Sequence, residues 1–191
     1  MDTRREYVNL VITGNPGVGK HTIAELFLKY DTSYQIFDIS KFAIENGFGE
    51  QMNDGIEIDT EKTKNEIKKV GLVKSIIVGH LAPYVLDESD IEIVIILRKN
   101  PYDLVEIYKK RNYQDSKIKQ NAGSEILGVI ANDSIASFGK EKSFEIDTTN
   151  KTPKIILAKI QDIINNQKGG DMIDWLELVE EKNEIGKFFD Y

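Results

Sequence analysis

Cysteine is absent from this 191-residue chain. That excludes disulfides, thiolate catalysis and cysteine-ligated zinc, and it fits a reducing compartment such as the cytoplasm. Long apolar runs are absent as well. The opening stretch MDTRREYVNLVITG carries charge at its head, and its apolar run stops at Gly14 after one strand length. It reads as neither a signal peptide nor a membrane span, so no membrane partner is expected. An excess of basic charge is also missing: 25 Lys plus Arg stand against 32 Asp plus Glu, a net charge of -7. This excludes nucleic-acid binding through bulk charge and leaves only a local basic patch for it, so no direct nucleic-acid partner is expected. The same acidity is compatible with plain solubility or with docking onto a basic protein. No internal repeat is visible.

What is present suits one globular domain. Apolar residues make up 40% and charged residues 30% of the chain, enough for a core without covalent staples. Tyr7 to Thr13 reads as a buried strand, and a helix follows with Ile23, Leu26, Phe27 and Tyr30 on one face. A short strand is expected at Tyr34 to Ile39. Lys41 to Asp59 reads as loop with weak helix. Thr60 to Val70 is a charged helix stopped by Gly71. Ser75–Val78 and Ile91–Leu97 are near-continuous apolar strands of the kind that parallel sheets bury on both faces. Pro101 opens a helix to about Tyr113, and Ser116 to Phe138 holds one or two more. Ser143 to Asp147 is a fifth strand, and Thr152 with Pro153 starts the last long helix. Strands alternating with helices predict an α/β fold around a mainly parallel five-stranded sheet. Asn165 to Asp171 reads as a linker, with an acidic amphipathic tail beyond it that is expected to pack on its own body.

The most informative stretch is Gly14-Asn15-Pro16-Gly17-Val18-Gly19-Lys20-His21-Thr22. It has the G-x-x-x-x-G-K spacing of a phosphate-binding loop, placed between an apolar strand and an amphipathic helix. Glycines let backbone wrap close to phosphates, and N–H groups at a helix N-terminus point at the anion. Lys20 adds a mobile positive charge for the terminal phosphates. His21 stands where such loops usually carry a Mg²⁺-binding hydroxyl. Imidazole is a poor Mg²⁺ ligand, since that ion prefers oxygen, so no protein metal ligand is assigned. Two readings remain for His21: an N–H contact to phosphate, or an exposed side chain.

These residues carry a resemblance. The loop GNPGVGKHT, the segments EIDTEK (Glu57–Lys62), GHLAPY (Gly79–Tyr84) and LRKNPYDL (Leu97–Leu104), and the block KRNYQDSKIKQNAGSEILG (Lys110–Gly128) together resemble the atypical adenylate kinase family, adenylate kinase isoenzyme 6 and its archaeal relatives. The similarity runs from about Tyr7 to Asn165. It implies a three-layer P-loop NTPase fold like that of adenylate kinase, with a short lid. It further implies a kinase domain at 1–168, a monophosphate-binding segment at about 38–60, a lid at about 110–121 and an appended tail at 169–191.

The resemblance also implies chemistry: ATP with Mg²⁺ as cofactors, a nucleoside monophosphate (AMP first) as acceptor, ATPase activity, and a role in small ribosomal subunit maturation with a small-subunit ribosomal protein as partner. Gly14 to Thr22 would hold ATP. Lys20, His80 and Arg111 would be the catalytic residues, Arg111 also clamping phosphates with its planar guanidinium. Asp38 and Asp59 would contact substrate. The family has an acid, one residue, then His after its third apolar strand. His80 matches, but Val78 stands at the acid's position, which makes Asp38 and Asp59 the candidate substitutes. His80 reads equally as a catalytic group or a hydrogen-bonded strand-end histidine. Arg98 reads as a nucleotide contact or an ion-pair partner. Asp147, Thr148 and Thr149 read as a loop near adenine or as a turn plus helix cap.

Overall fold

The computed structural model describes residues 9–52 and 55–189. Tyr7 and Val8, the head of the expected first strand, lie outside the described residues. In chain order the elements are β1 (Leu10–Thr13), α1 (Lys20–Tyr30), β2 (Gln35–Asp38), α2 (Ile39–Glu45), β3 (Gly49–Met52), β4 (Gly55–Ile58), α3 (Thr60–Val70), β5 (Ser75–Val78), α4 (Ala82–Val85), β6 (Ile93–Arg98), α5 (Pro101–Lys110), α6 (Asp115–Ile126), α7 (Val129–Phe138), β7 (Ser143–Asp147), α8 (Pro153–Asn166), α9 (Trp175–Glu181) and α10 (Ile185–Phe188).

The apolar runs become the centre of one sheet. β1, β5 and β6 are buried at every position, because strands covered on both faces have no water-facing side. The strand order is β2-β5-β1-β6-β7 and every neighbouring pair is parallel. Alternation along each strand feeds two cores. Leu10, Ile12 and Ile95 pack with Ile23 and Phe27 of α1 and Ile156 and Ile160 of α8. Val11, Ile77, Val94 and Ile96 pack with Ile67 of α3, Val85 of α4 and Phe138 of α7. Helices thus cover both faces in three layers. Of the apolar stripe expected on α1, Ile23 and Phe27 are buried, while Tyr30 is 69% exposed at the helix end.

Local signals set several boundaries. Asp59 caps α3 by accepting the Lys62 N–H at 2.9 Å, and Gly71 ends that helix at a φ of 65° that favours glycine. Thr152 caps α8 with Pro153 in its first turn. Lys41 to Asp59 corrects the expectation of a loop with weak helix. It forms α2 and then an antiparallel hairpin, β3 paired with β4, with Gly49 opposite Ile58. Most of the hairpin is exposed and its strands are four residues each, too short and too polar to give a readable alternation. The tail packs on the body: Val179 and Phe188 are buried against Ala122 and Ile126, and the Phe188 ring meets Tyr102 edge-on at 5.3 Å. Among the described residues, no helix is long and apolar enough to cross a membrane.

Candidate functional site

In a parallel sheet, chain reversals at the carboxyl ends of the strands gather polar residues in one crevice. Here that edge receives the 14–19 loop from β1, Asp38 from β2, Gly79 and His80 from β5, and Arg98 from β6. Gly14 must be glycine for two reasons. Its φ is 129°, and a Cβ would lie 2.2 Å from the Leu97 carbonyl oxygen. Gly14→Ala should therefore displace the loop from β6 and cost about 3 kcal/mol or more. Thermal unfolding would check this, and an unchanged midpoint would contradict it. The loop is also braced from α5, whose Tyr108 hydroxyl donates to the Pro16 carbonyl at 2.7 Å.

Lys20 opens α1 and is only 8% exposed. Its Nζ donates to the carbonyls of Gly14 at 2.8 Å and Asn15 at 2.9 Å. Burial first, and then the nearby Arg111 guanidinium, lower its pKa to about 8 against the opposing pull of Glu125 and Asp38. Arg111 caps α5 and is exposed on the same cavity. Two like charges thus face one space, an arrangement that an anion relieves.

That space is a cavity of about 380 Å³ lined by the loop, Lys20, His21, Thr22, Asp38, Ser40, Gly79, His80 and Arg111. His80 is neutral at physiological pH, since burial and then Lys20 push its pKa down to about 4. His21 is exposed and pairs with Asp38, Nε2 to Oδ2 at 2.6 Å. Burial acts to raise the pKa of Asp38, but the Lys41 N–H and His21 outweigh it and hold the carboxyl below its ordinary value. A second cavity of about 630 Å³ adjoins the first. It is lined by Met52, Gly55, Ile56 and Glu57 of the hairpin, by Asn15 of the loop, and by Tyr113, Lys117, Gln120, Asn121 and Ser124 on the other side. Pro16 and His80 line both cavities.

Other expected residues lie elsewhere. Asp59 lines neither cavity; its carboxylate is engaged by Lys62 through both N–H and Nζ at the start of α3. Val78 is fully buried, yet it sits in register with Asp38 on the neighbouring strand. In-register neighbours in a parallel sheet project to one face about 4.8 Å apart, so Asp38 offers a carboxylate one strand over from Val78. Arg98 is an ion-pair partner: Nε meets Glu125 at 2.8 Å and Nη1 binds Glu145. Asp147 to Thr149 form a turn, with Asp147 Oδ1 accepting from the Thr149 N–H at 2.8 Å. The region expected as a lid begins with a tight turn at Arg111 and continues as α6.

Sequence reasoning gave Glu125 no role. It is fully buried and bridges Asn15 to Arg98. The readable signal is the spacing of Lys117, Asn121 and Glu125, one helical face at steps of four.

Comparison with known proteins agrees with this geometry. A protein-family model described as an AAA domain matches residues 10–128. A curated relative from Saccharolobus islandicus, named "Putative adenylate kinase", is 35% identical over 170 residues, covering 87% of both chains. The chain belongs to this adenylate-kinase-like P-loop family. A Thermococcus kodakarensis member of the same name is 30% identical over 175 residues, spanning 90% of this chain and 95% of its own. The fold is shared more widely. Shikimate kinase from Bacteroides thetaiotaomicron superposes with a TM-score of 0.56 at 17% identity, covering 83% of this chain and 99% of that one. Thymidylate kinase from Candida albicans superposes at 0.52 with 14% identity, covering 88% and 97%. The match spans the whole 14–22 loop, with His21 directly after Lys20, and the segment that carries Asp38 and His80.

Proposed function

We propose that this chain transfers the terminal phosphoryl group of ATP to a nucleoside monophosphate, with AMP the expected acceptor. The observation that carries the reading is the pair of adjoining cavities that share Pro16 and His80, one walled by the phosphate loop and Lys20, the other by the hairpin and α6. A donor polyphosphate suits the first and a monophosphate the second, so the transferred group would pass at their junction. An acceptor phosphate oxygen would bond to the γ-phosphorus as the bond to the ADP oxygen breaks. Positioning and charge neutralisation supply most of such catalysis.

The residues fit both cofactors. The loop would take the β- and γ-phosphates, with Lys20 released from its carbonyls and Arg111 closing from the α5 end. Magnesium is a hard, well-hydrated ion, and the oxygens of Asp38, Thr22 and Ser40 are the donors on this wall that suit its water shell. When bound with ATP it would supply further charge neutralisation on the phosphates. Neutral His80 would donate or accept one hydrogen bond without adding charge. Substrate contact from the hairpin falls to residues near Glu57 rather than to Asp59.

The deciding assay follows ADP formation from ATP and Mg²⁺ with and without AMP. We expect AMP-dependent ADP formation; ATP hydrolysis indifferent to AMP would instead identify an ATPase. Val78 and His21, both departures where metal is handled, favour a second reading, a nucleotide-gated binding module, and ATP binding without turnover would establish it. A role in small ribosomal subunit maturation belongs to the same proposal through the net charge of -7, and failure to capture a basic ribosomal protein in any nucleotide state would count against it.

A further inference from the structure

The carboxylate of Glu125 has no solvent contact, and it collects four donors. Oε1 accepts from Arg98 Nε at 2.8 Å, from the Lys99 N–H at 3.0 Å and from the Trp175 indole Nε1 at 3.1 Å. Oε2 accepts from Asn15 Nδ2 at 2.7 Å. Asn15 is the second residue of the phosphate loop and is 4% exposed, and Ser124 also donates to its Oδ1 at 3.2 Å. The Asn15 carbonyl in turn accepts from Lys20 Nζ at 2.9 Å. A line of contacts therefore runs from the tail to the phosphate lysine: Trp175 and the Asn15 side-chain amide both bond Glu125, and the backbone carbonyl of the same Asn15 bonds Lys20.

We propose that the C-terminal tail is a working part of the phosphate site, with Trp175 a positioning residue that acts through Glu125 on Asn15 and the loop. The proposal rests on the reading that the loop binds ATP. A polyphosphate competes with the loop carbonyls for Lys20, since a charge-assisted bond to an anion is stronger than one to an amide oxygen. Releasing Lys20 from the Asn15 carbonyl frees the loop backbone there to shift, and the Asn15 side chain held by Glu125 shifts with it. Glu125 then redistributes between loop and indole. Coupling of this kind is reciprocal, so tail docking must alter nucleotide affinity as much as nucleotide alters the tail. The rest of the tail supplies the anchorage: Val179 and Phe188 are buried against α6, the helix that carries Glu125.

The chain supplies its own probe, because Trp175 is its only tryptophan. The experiment titrates full-length protein with ATP and Mg²⁺, following Trp175 emission and binding heat together. It repeats the calorimetry on Trp175→Phe, which keeps an aromatic ring and removes the donor. The expected result is an emission change that saturates with the binding heat, and an ATP affinity roughly 5- to 10-fold weaker in the variant. In a kinetic assay the KM for ATP should rise while kcat holds within about twofold, since the lost contact acts on loop position in ground and transition states alike. A tryptophan serving only the tail's packing would lower the unfolding midpoint and leave the affinity of the folded protein unchanged. ATP heat with flat wild-type emission would overturn the relay while leaving the nucleotide site intact, whether or not the variant folds. No ATP heat in the wild type would overturn the nucleotide reading and the relay with it.

Discussion

Lys20→Ala should abolish phosphoryl transfer, lowering kcat/KM by roughly a thousandfold or more, about 4 kcal/mol of transition-state stabilisation. The reason lies in what surrounds the ammonium. It is 8% exposed and, among the described residues, its hydrogen bonds go to carbonyls of the loop it serves, with Arg111 facing the same cavity. Nothing in that arrangement stabilises the charge as well as a phosphate would. The fold carries a cost for it: lowering the pKa from 10.5 to about 8 amounts to about 3 kcal/mol of destabilisation while the lysine stays protonated. The sign follows. The folded pKa is below the unfolded one, so the penalty is complete below pH 8 and is relieved as pH rises from about 8 to 10.5. Lys20→Met should therefore lose activity without lowering the unfolding midpoint of the nucleotide-free protein at pH 7. A midpoint several degrees lower would show that the lysine braces the loop rather than waiting for an anion. ATP affinity should fall as pH climbs past about 8, because only the ammonium binds phosphate.

Asp38→Asn should lower Mg²⁺-dependent turnover by about a hundredfold, the second largest effect, while leaving the fold intact. Asn caps a helix as well as Asp does, so the bond from the Lys41 N–H that starts α2 survives. What is lost is the negative charge beside His21 and the loop. That charge opposes a bare triphosphate and attracts a hydrated cation, so the two losses have opposite signs. Calorimetry should show metal-free ATP binding unchanged or tighter in the variant, with the Mg²⁺ enhancement of binding reduced. An unchanged Mg²⁺ response would remove Asp38 from metal handling altogether. Val78→Asp in the wild-type background does not restore the family's acid cleanly. It would put a second carboxylate in register beside Asp38, at a position now fully buried among aliphatic side chains. Its expected outcome is lost stability, about 3 kcal/mol from burying an unpaired charge. In the Asp38→Asn background the repulsion is gone, and partial recovery of turnover is the expected result.

These predictions divide along what was readable in advance. The chemistry of the loop was legible because it is local: nine consecutive residues between an apolar strand and an amphipathic helix carry the phosphate signature, whatever surrounds them. The helix start at Thr152 and the stop at Gly71 were legible for the same reason, since a cap involves neighbours three or four positions away. The three nearly continuous apolar strands announced a sheet covered on both faces. The hairpin did not announce itself, because two four-residue strands that expose most of their side chains have little hydrophobic pattern to show. Arg98 could be read two ways until β6 and α6 were seen to meet.

By itself, then, the sequence determined the fold class, the phosphate loop and the family, all of which rest on apolar periodicity and contiguous motifs. Only the tertiary structure decided which carboxylate faces the loop. Asp38 and Asp59 look alike in sequence, each followed by a helix, but strand register sets Asp38 beside Val78 and His21, whereas Asp59 is spent capping α3. It also decided that Glu125 ties Trp175 to Asn15, residues 160 positions apart (175 less 15). Pairings at that separation depend on how sheet and helices close on one another, and a buried carboxylate must find its donors wherever the fold brings them.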